Sequence, residues 1–228
     1  MKKVLVICFL FFVVSGVFVC AHQPKYVVDK TMMNISNPEI SQAFYGELKG
    51  EYDYYTINSV VPFNLYLQIV VPGLQDSRKD FVFDIYAPSR LENGTTDVER
   101  LGQLDGYSFK NWTKFYEDFG GDNYLSGPEF DMNVSAGEYK IVVHSYANSS
   151  NYTGLEPNKG KYTLVVGKAE KFSLKDILVL PKIKHDFFGK SYFAFFEGII
   201  GKAVGVLLLA VILIVLLIVW VFRRFKKK

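Results

Sequence analysis

Phe63-Asn64-Leu65-Tyr66-Leu67-Gln68-Ile69-Val70-Val71 is the stretch on which the fold turns. Phe63, Leu65, Leu67, Ile69 and Val71 take alternate positions, with Asn64, Tyr66 and Gln68 between them. Successive side chains of a strand point to opposite faces, so this alternation marks a half-buried strand. Phe81, Phe83 and Ile85 repeat it, with Asp84 and Tyr86 opposite. Tyr139, Ile141 and Val143 do so against Lys140 and His144, and Tyr162, Leu164 and Val166 form a further set. Shorter strand candidates lie at 44–48, 52–57, 107–112 and 129–134. Turn signals separate them: Lys49-Gly50-Glu51, Val71-Pro72-Gly73, Gly120-Gly121, Ala136-Gly137 and Asn158-Lys159-Gly160. No helical periodicity precedes residue 172. About eight short strands of this kind predict an all-β fold, an antiparallel β-sandwich spanning 42–168 after an N-terminal segment at 22–41. The polar gap from Ser89 to Gly106, which holds Asn93, reads as a surface loop.

Four pieces occur in order along this region. They are Gly50-Glu51-Tyr52-Asp53-Tyr54-Tyr55, Asp80-Phe81-Val82-Phe83-Asp84-Ile85-Tyr86, Ser135-Ala136-Gly137-Glu138-Tyr139-Lys140-Ile141-Val142-Val143 and Gly160-Lys161-Tyr162-Thr163-Leu164-Val165-Val166-Gly167. Over about residues 40–168 the chain resembles the bacterial pre-peptidase C-terminal domain family, small jelly-roll-like sandwiches appended to secreted proteins. The resemblance implies an accessory module for binding, secretion or stability rather than a catalyst. The shared motifs are strand-and-turn patterns and carry no chemistry. The expected protein departs from the family in lacking an attached peptidase, in carrying a membrane anchor instead, and in its dense glycosylation sequons.

The two ends predict a topology. At 1–21, Lys2 and Lys3 precede an apolar run that ends in small residues, the layout of a secretory signal peptide. At 199–222 the chain predicts a single transmembrane helix, of which Ala203 to Phe222 is free of charge. Trp220 and Phe222 close it with aromatic rings suited to the membrane interface. The tail at 223–228 follows with Arg223, Arg224, Lys226, Lys227 and Lys228, which favour the cytoplasmic side. The expected protein spans the cell membrane once, with the sandwich outside. Between them, the segment 169–198 carries Phe187, Phe188, Tyr192, Phe193, Phe195 and Phe196. It reads as a helix opened by Ser173-Leu174-Lys175-Asp176 and stopped by Pro181, followed by aromatics resting on the outer leaflet or extending the span. Gly201 and Gly205 form a small-residue pair at the outer end of the span.

Charge and composition narrow the function. Lys2, Lys3 and the five basic residues after Phe222 account for seven of the 26 Lys+Arg, so the intervening chain holds 19 basic and 23 acidic residues. A nucleic-acid-binding domain carries a basic patch on its folded part, and this balance argues against one. Both cysteines, Cys8 and Cys20, lie in the signal segment, so the remaining chain has no disulfide, thiol nucleophile or cysteine metal site. Six of the 11 Asn begin an N-x-Ser/Thr triplet: Asn34, Asn93, Asn111, Asn133, Asn148 and Asn151. With 21 Ser and Thr in 228 residues, chance accounts for about one such triplet. Dense sequons predict an N-glycosylated surface, though turns rich in Asn, Ser and Thr account for part of the excess. Sequons without disulfides point to an archaeal cell surface, with a eukaryotic secretory membrane second.

Candidate chemistry is sparse. His22, His144 and His185 lack metal-ligand spacing and have no evident nucleophile beside them. No catalytic residue is expected. Asp118-Phe119-Gly120 matches the kinase magnesium motif without its companion loops, and is a chance match. Asp118, Asp122, Asn123 and Asp131 place hard oxygen ligands around Gly120-Gly121, the donor type that calcium takes. EF-hand spacing is absent, and a solvated charged loop accounts for the same residues. Calcium is the one cofactor the sequence suggests. Tyr107, Trp112, Phe115, Tyr116 and Tyr124 lie nearby and suit either core filling or sugar stacking. The sequence therefore predicts a non-enzymatic single-pass surface glycoprotein whose sandwich binds a partner, such as an envelope or membrane protein, or serves as an accessory subunit. The alternative is a membrane-tethered module for carbohydrate binding or calcium-dependent adhesion, with a glycan as ligand.

Overall fold

The structure, a computed structural model, describes residues 22–27, 32–90, 96–117, 120–146, 156, 158–171 and 174–194. The expected signal peptide and membrane span lie outside them, as do Asn93, Asp118, Asn148 and Asn151. Among the described residues no helix is long and apolar enough to cross a membrane.

The chain is a β-sandwich. In order, its strands are β1 (Gln23–Tyr26), β2 (Met33–Asn34), β3 (Gln42–Lys49), β4 (Asp53–Ser59), β5 (Phe63–Pro72), β6 (Phe81–Arg90), β7 (Thr96–Asp105), β8 (Thr113–Glu117), β9 (Asp122–Val134), β10 (Gly137–Ser145) and β11 (Lys159–Val166). A six-stranded sheet runs β1-β3-β11-β5-β9-β8, and a five-stranded sheet runs β2-β4-β10-β6-β7. Every pairing is antiparallel except β1 with β3 and β2 with β4, which are parallel. The segment 22–41, assigned no strand by its sequence, thus supplies an edge strand to each sheet.

The alternating residues of β5, β6, β10 and β11 meet between the sheets, where Leu65, Leu67, Ile69, Phe83, Ile141 and Leu164 are fully buried. Apolar area removed from water at this interface is the main driving force for the fold. The core also holds a polar chain. Tyr162 donates a hydrogen bond to Asp53 Oδ2 (2.6 Å), and Tyr55 donates to the Tyr162 hydroxyl (2.8 Å). Burial pushes both phenols above their ordinary pKa, so both stay protonated and can donate. Gly46, directly across from Tyr162, makes room for that ring, since a Cβ there would lie 2.4 Å from Tyr162 Cζ. At the end of the sandwich where β6 starts, Arg78 grips the buried Asp80 through Nε (2.9 Å) and Nη2 (2.6 Å) and donates from Nη1 to the Glu156 carbonyl (2.8 Å). Such a bidentate pair fixes geometry as well as charge.

Three expectations need correction. The stretch read as a loop between Ser89 and Gly106 contains β7, an edge strand paired along β6. Its register shifts between Ile85 and Tyr86, and its buried apolar contribution is Leu104, so no clean alternation is visible. The strand expected at 107–112 is turn and coil, and β8 begins only at Thr113. Pro181 does not stop a helix. Leu174–Val179 is a 3-10 turn, and the helix α1 (Leu180–Phe188) starts beside Pro181, whose missing N–H costs nothing in the first turn. The helix ends at Gly189, which takes the left-handed conformation (φ 63°), and the Gly189 and Lys190 N–H groups close onto the His185 and Lys184 carbonyls.

Gly46→Ala is expected to destabilise the fold by about 1–3 kcal/mol through overpacking against Tyr162. A shift of the urea unfolding midpoint at constant slope measures this, and an unchanged midpoint means the ring has room to move.

Candidate functional site

A sandwich has two outer faces, and here they differ in kind. The outer face of the six-stranded sheet presents Ala43, Tyr45, Val70, Tyr124 and Val165, an apolar patch that α1 covers with Leu180, Ile183 and Phe187. Phe187 packs edge-on against Tyr45 (centroids 5.2 Å), Phe188 packs edge-on against Tyr124 (5.2 Å), and Phe115 stacks on Tyr124 (5.5 Å). This corrects the expectation that the aromatics after the sandwich all rest on the membrane. Phe187 is buried and Phe188 half-buried against the sheet, while Phe195 and Phe196 lie outside the described residues.

Charge pins this clasp in one register. Lys184, buried, donates to Asp122 Oδ2 (2.8 Å), and Lys190 donates to Oδ1 (2.5 Å). The N-terminal strand is tied in as well. Tyr26 of β1 donates to Asp186 (2.5 Å), Lys182 Nζ sits 4.2 Å from the Tyr26 ring centroid, and Lys25 pairs with Asp176 (3.7 Å). Burial, then the bond to Asp186, pushes the Tyr26 phenol above its ordinary pKa.

The described members of the expected calcium set, Asp122, Asn123 and Asp131, are therefore not gathered. Asp122 and Asp131 are nine positions apart on the extended strand β9, about 30 Å at the usual rise. Asp122 is occupied by two ammonium groups. Asp131 accepts from Lys168 and from Asn64 (2.9 Å), which hold its carboxyl below the ordinary range. Asn123 is exposed beside Asp122, and Asp118 lies outside the described residues. Among the described residues no three His, Cys, Asp or Glu side chains are grouped as metal ligands.

The outer side of the clasp is the first exposed surface of note. Lys175, Leu178, Lys182 and His185 are all exposed and spaced three or four residues apart, and the His185 ring stacks on Tyr192 at 4.1 Å. Leu178 is 80% exposed, and Phe193 extends the apolar part. The result is a stripe of lysines and apolar side chains leading to the last described residues.

The outer face of the five-stranded sheet is the second. Register places its outward side chains in rows: Tyr54, Val142, Asp84 and Gln103 in one, and Thr56, Lys140, Tyr86 and Arg100 in the next. Asp84 organises the face, accepting from His144 Nε2 (2.9 Å), Gln103 Nε2 (3.0 Å) and Arg100 (2.6 Å). The Tyr52 ring lies 5.4 Å from that of His144, and Tyr52 and Tyr54 are 45% and 40% exposed. A depression of about 240 Å³ lies one row beyond Thr56 and Arg100, lined by Pro88, Asp97, Val98, Glu138 and Lys140. Sequence reasoning placed His144 on an outer strand face but missed its partners, because Asp84, Gln103 and Arg100 converge only through strand pairing.

The remaining sequence candidates sort as follows. Tyr124 is core to the clasp, Phe115 and Trp112 are half-buried, and Tyr116 is exposed. Trp112 donates its indole N–H to the Gly106 carbonyl (3.3 Å). His22 bonds Ser41 through Nδ1, and burial lowers its pKa against the pull of Glu170. The described sequon residues Asn34, Asn111 and Asn133 are all exposed.

No protein-family model matches the chain. No curated protein matches it. Among solved structures, the chain is similar to the pre-peptidase C-terminal domain of collagenase from Bacillus anthracis, with a TM-score of 0.33, 15% identity, and coverage of 62% of this chain and 97% of that one. It is also similar to PliG, a periplasmic inhibitor of g-type lysozyme from Aeromonas hydrophila, with a TM-score of 0.33, 16% identity, and coverage of 63% and 97%. At such identity and TM-score, nothing about function follows from either likeness.

Lys184→Met is expected to cost about 3 kcal/mol, because it removes one cation from a buried carboxylate. Lys190→Ala, at a partly exposed position, is expected to cost under about 1 kcal/mol. Urea midpoints of the two variants decide the matter, and equal losses mean that Lys184 does not govern docking.

Proposed function

We propose that this chain is a non-enzymatic, single-pass surface glycoprotein whose sandwich serves as an accessory module for a membrane-protein partner. The exposed stripe of the clasp is the contact surface. The observation that carries this reading is the clasp itself. The segment leading toward the expected membrane span is built into the sandwich by Phe187 and Lys184, and turns Leu178, Lys182, Tyr192 and Phe193 outward. An aromatic and cationic surface held rigidly on a folded domain suits the desolvated centre of an interface. A single apolar span followed by a basic tail supports the anchored topology. Six sequons support a surface exposed to the glycosylation machinery.

Gentle detergent extraction of the full chain from its native membrane, crosslinking and mass spectrometry test this reading. A stoichiometric membrane protein is expected to co-purify with the wild type, and to be lost at least tenfold from a Leu178→Asp/Tyr192→Ser variant. A Tyr52→Ser/Tyr54→Ser variant on the opposite face is expected to retain it. Crosslinks from the stripe to lipid alone overturn the accessory role and leave a lipid-resting segment in its place.

A further inference from the structure

We infer that the N-glycan on Asn34 lies across the tyrosine face of the five-stranded sheet and covers it. This rests on the glycoprotein reading above and adds an occupant to a face that reading leaves open. Asn34 is the second residue of β2, the edge strand of this sheet. Ile35 beside it is buried, and Met33 packs against the core, so Asn34 points outward. Its cross-strand partner is Thr56, whose neighbours Tyr55 and Ile57 are fully buried. Asn34 and Thr56 therefore share the outer face with Tyr54, two residues from Thr56 and diagonal to Asn34. With strands about 4.8 Å apart and about 3.3 Å of rise per residue, such diagonal neighbours lie about 8 Å apart, within reach of a long substituent. A sugar bonded to Asn34 Nδ2 thus passes Thr56 and reaches the exposed Tyr54 ring.

The chemistry of the face suits the sugars that follow. Pyranose rings present C–H faces that pack on tyrosine, and hydroxyls that take hydrogen bonds from planar and charged groups. Beyond Thr56 the same row continues through Lys140, Tyr86 and Arg100. Strands are about 4.8 Å apart, so this row crosses the sheet in about 14 Å from Thr56 to Arg100. Arg100 and Gln103 are already oriented by Asp84, so a sugar meets fixed donors. Asn133 supplies the contrast. It sits on the other sheet beside Asn64 and Asp131, and the nearby Tyr66 already carries the Lys168 ammonium 4.6 Å from its ring centroid.

The test uses the full chain made in a host that attaches N-glycans. Mass spectrometry first reports occupancy at each sequon, and tyrosine nitration then reports ring accessibility. With Asn34 occupied, Tyr54 and Tyr52 are expected to react at least threefold more slowly than in Asn34→Gln or in protein treated with a glycosidase. Ser36→Ala, which removes the sequon and keeps Asn34, is expected to match Asn34→Gln, and Asn133→Gln to leave both tyrosines unchanged. Equal reactivity with and without the Asn34 glycan overturns the inference and leaves the glycoprotein reading intact. An empty Asn34 with other sequons filled does the same. No filled sequon removes both.

Discussion

The ion pair between Lys184 and Asp122 sets what the rest of the surface can do. A nine-residue helix such as α1 is too short to persist in water by itself. The sheet patch of Tyr45, Val70, Tyr124 and Val165 is in turn too apolar to be left bare. Each completes the other, and apolar burial supplies the affinity. Apolar burial alone tolerates sliding, because Leu180, Ile183 and Phe187 could fill similar space one turn away. A buried ammonium cannot move so freely. Only a docking that places Lys184 Nζ on Asp122 avoids an unpaired buried charge, so the pair selects the register. That register then turns Leu178, Lys182 and His185 outward.

The same pair explains why an acidic loop that suggested a cation site in the sequence holds cations of another kind. Asp122, with the two lysines upon it, is already neutralised and desolvated. A calcium ion there has to displace both ammonium groups and gather further oxygens. Asp131 cannot help, since it lies far along β9 with its own lysine. The sequence shows that acidic residues cluster within fifteen positions, but an extended strand spreads them out, whereas a loop brings them together.

Much of the sandwich was legible because four strands are half-buried and alternate. Phe63 to Val71 and Phe81 to Ile85 carry their assignment in their residue order. β7 was not legible, since an edge strand with a bulge has little apolar pattern to show. β1 and β2 were hidden for a related reason: they are short, and their partners β3 and β4 are remote in topology rather than adjacent hairpins. The aromatics near residue 187 were visible as a cluster, yet composition cannot say whether a phenylalanine meets lipid or a sheet. Both surfaces of functional interest depend on register. The Asp84 network joins residues from β6, β7 and β10, and Asn34 gains its neighbours only through the pairing of β2 with β4.

The path of the clasp carries one more consequence. β11 finishes with Val166 beside Gln42, at one end of the six-stranded sheet. Lys190 reaches Asp122, the first residue of β9, just past the pairing of Pro72 with Tyr124 at the other end. The segment therefore runs back along the full length of the sheet and leaves at the end opposite to where β11 stopped. The β3–β4 turn after Lys49 and the start of β6 at Phe81 belong to that same exit end, because Lys49 pairs with Lys159 and Phe81 with Ser145. On the anchored reading, that is the end from which the chain continues toward the expected span, and the start of β1 at Gln23, paired with Gln42, lies at the other end. One outer face is covered by the clasp over its patch of Tyr45 and Tyr124, and the other, on our inference, by sugar. On the proposed reading, the exposed stripe of the clasp is the surface through which a neighbour in the same membrane reaches the sandwich.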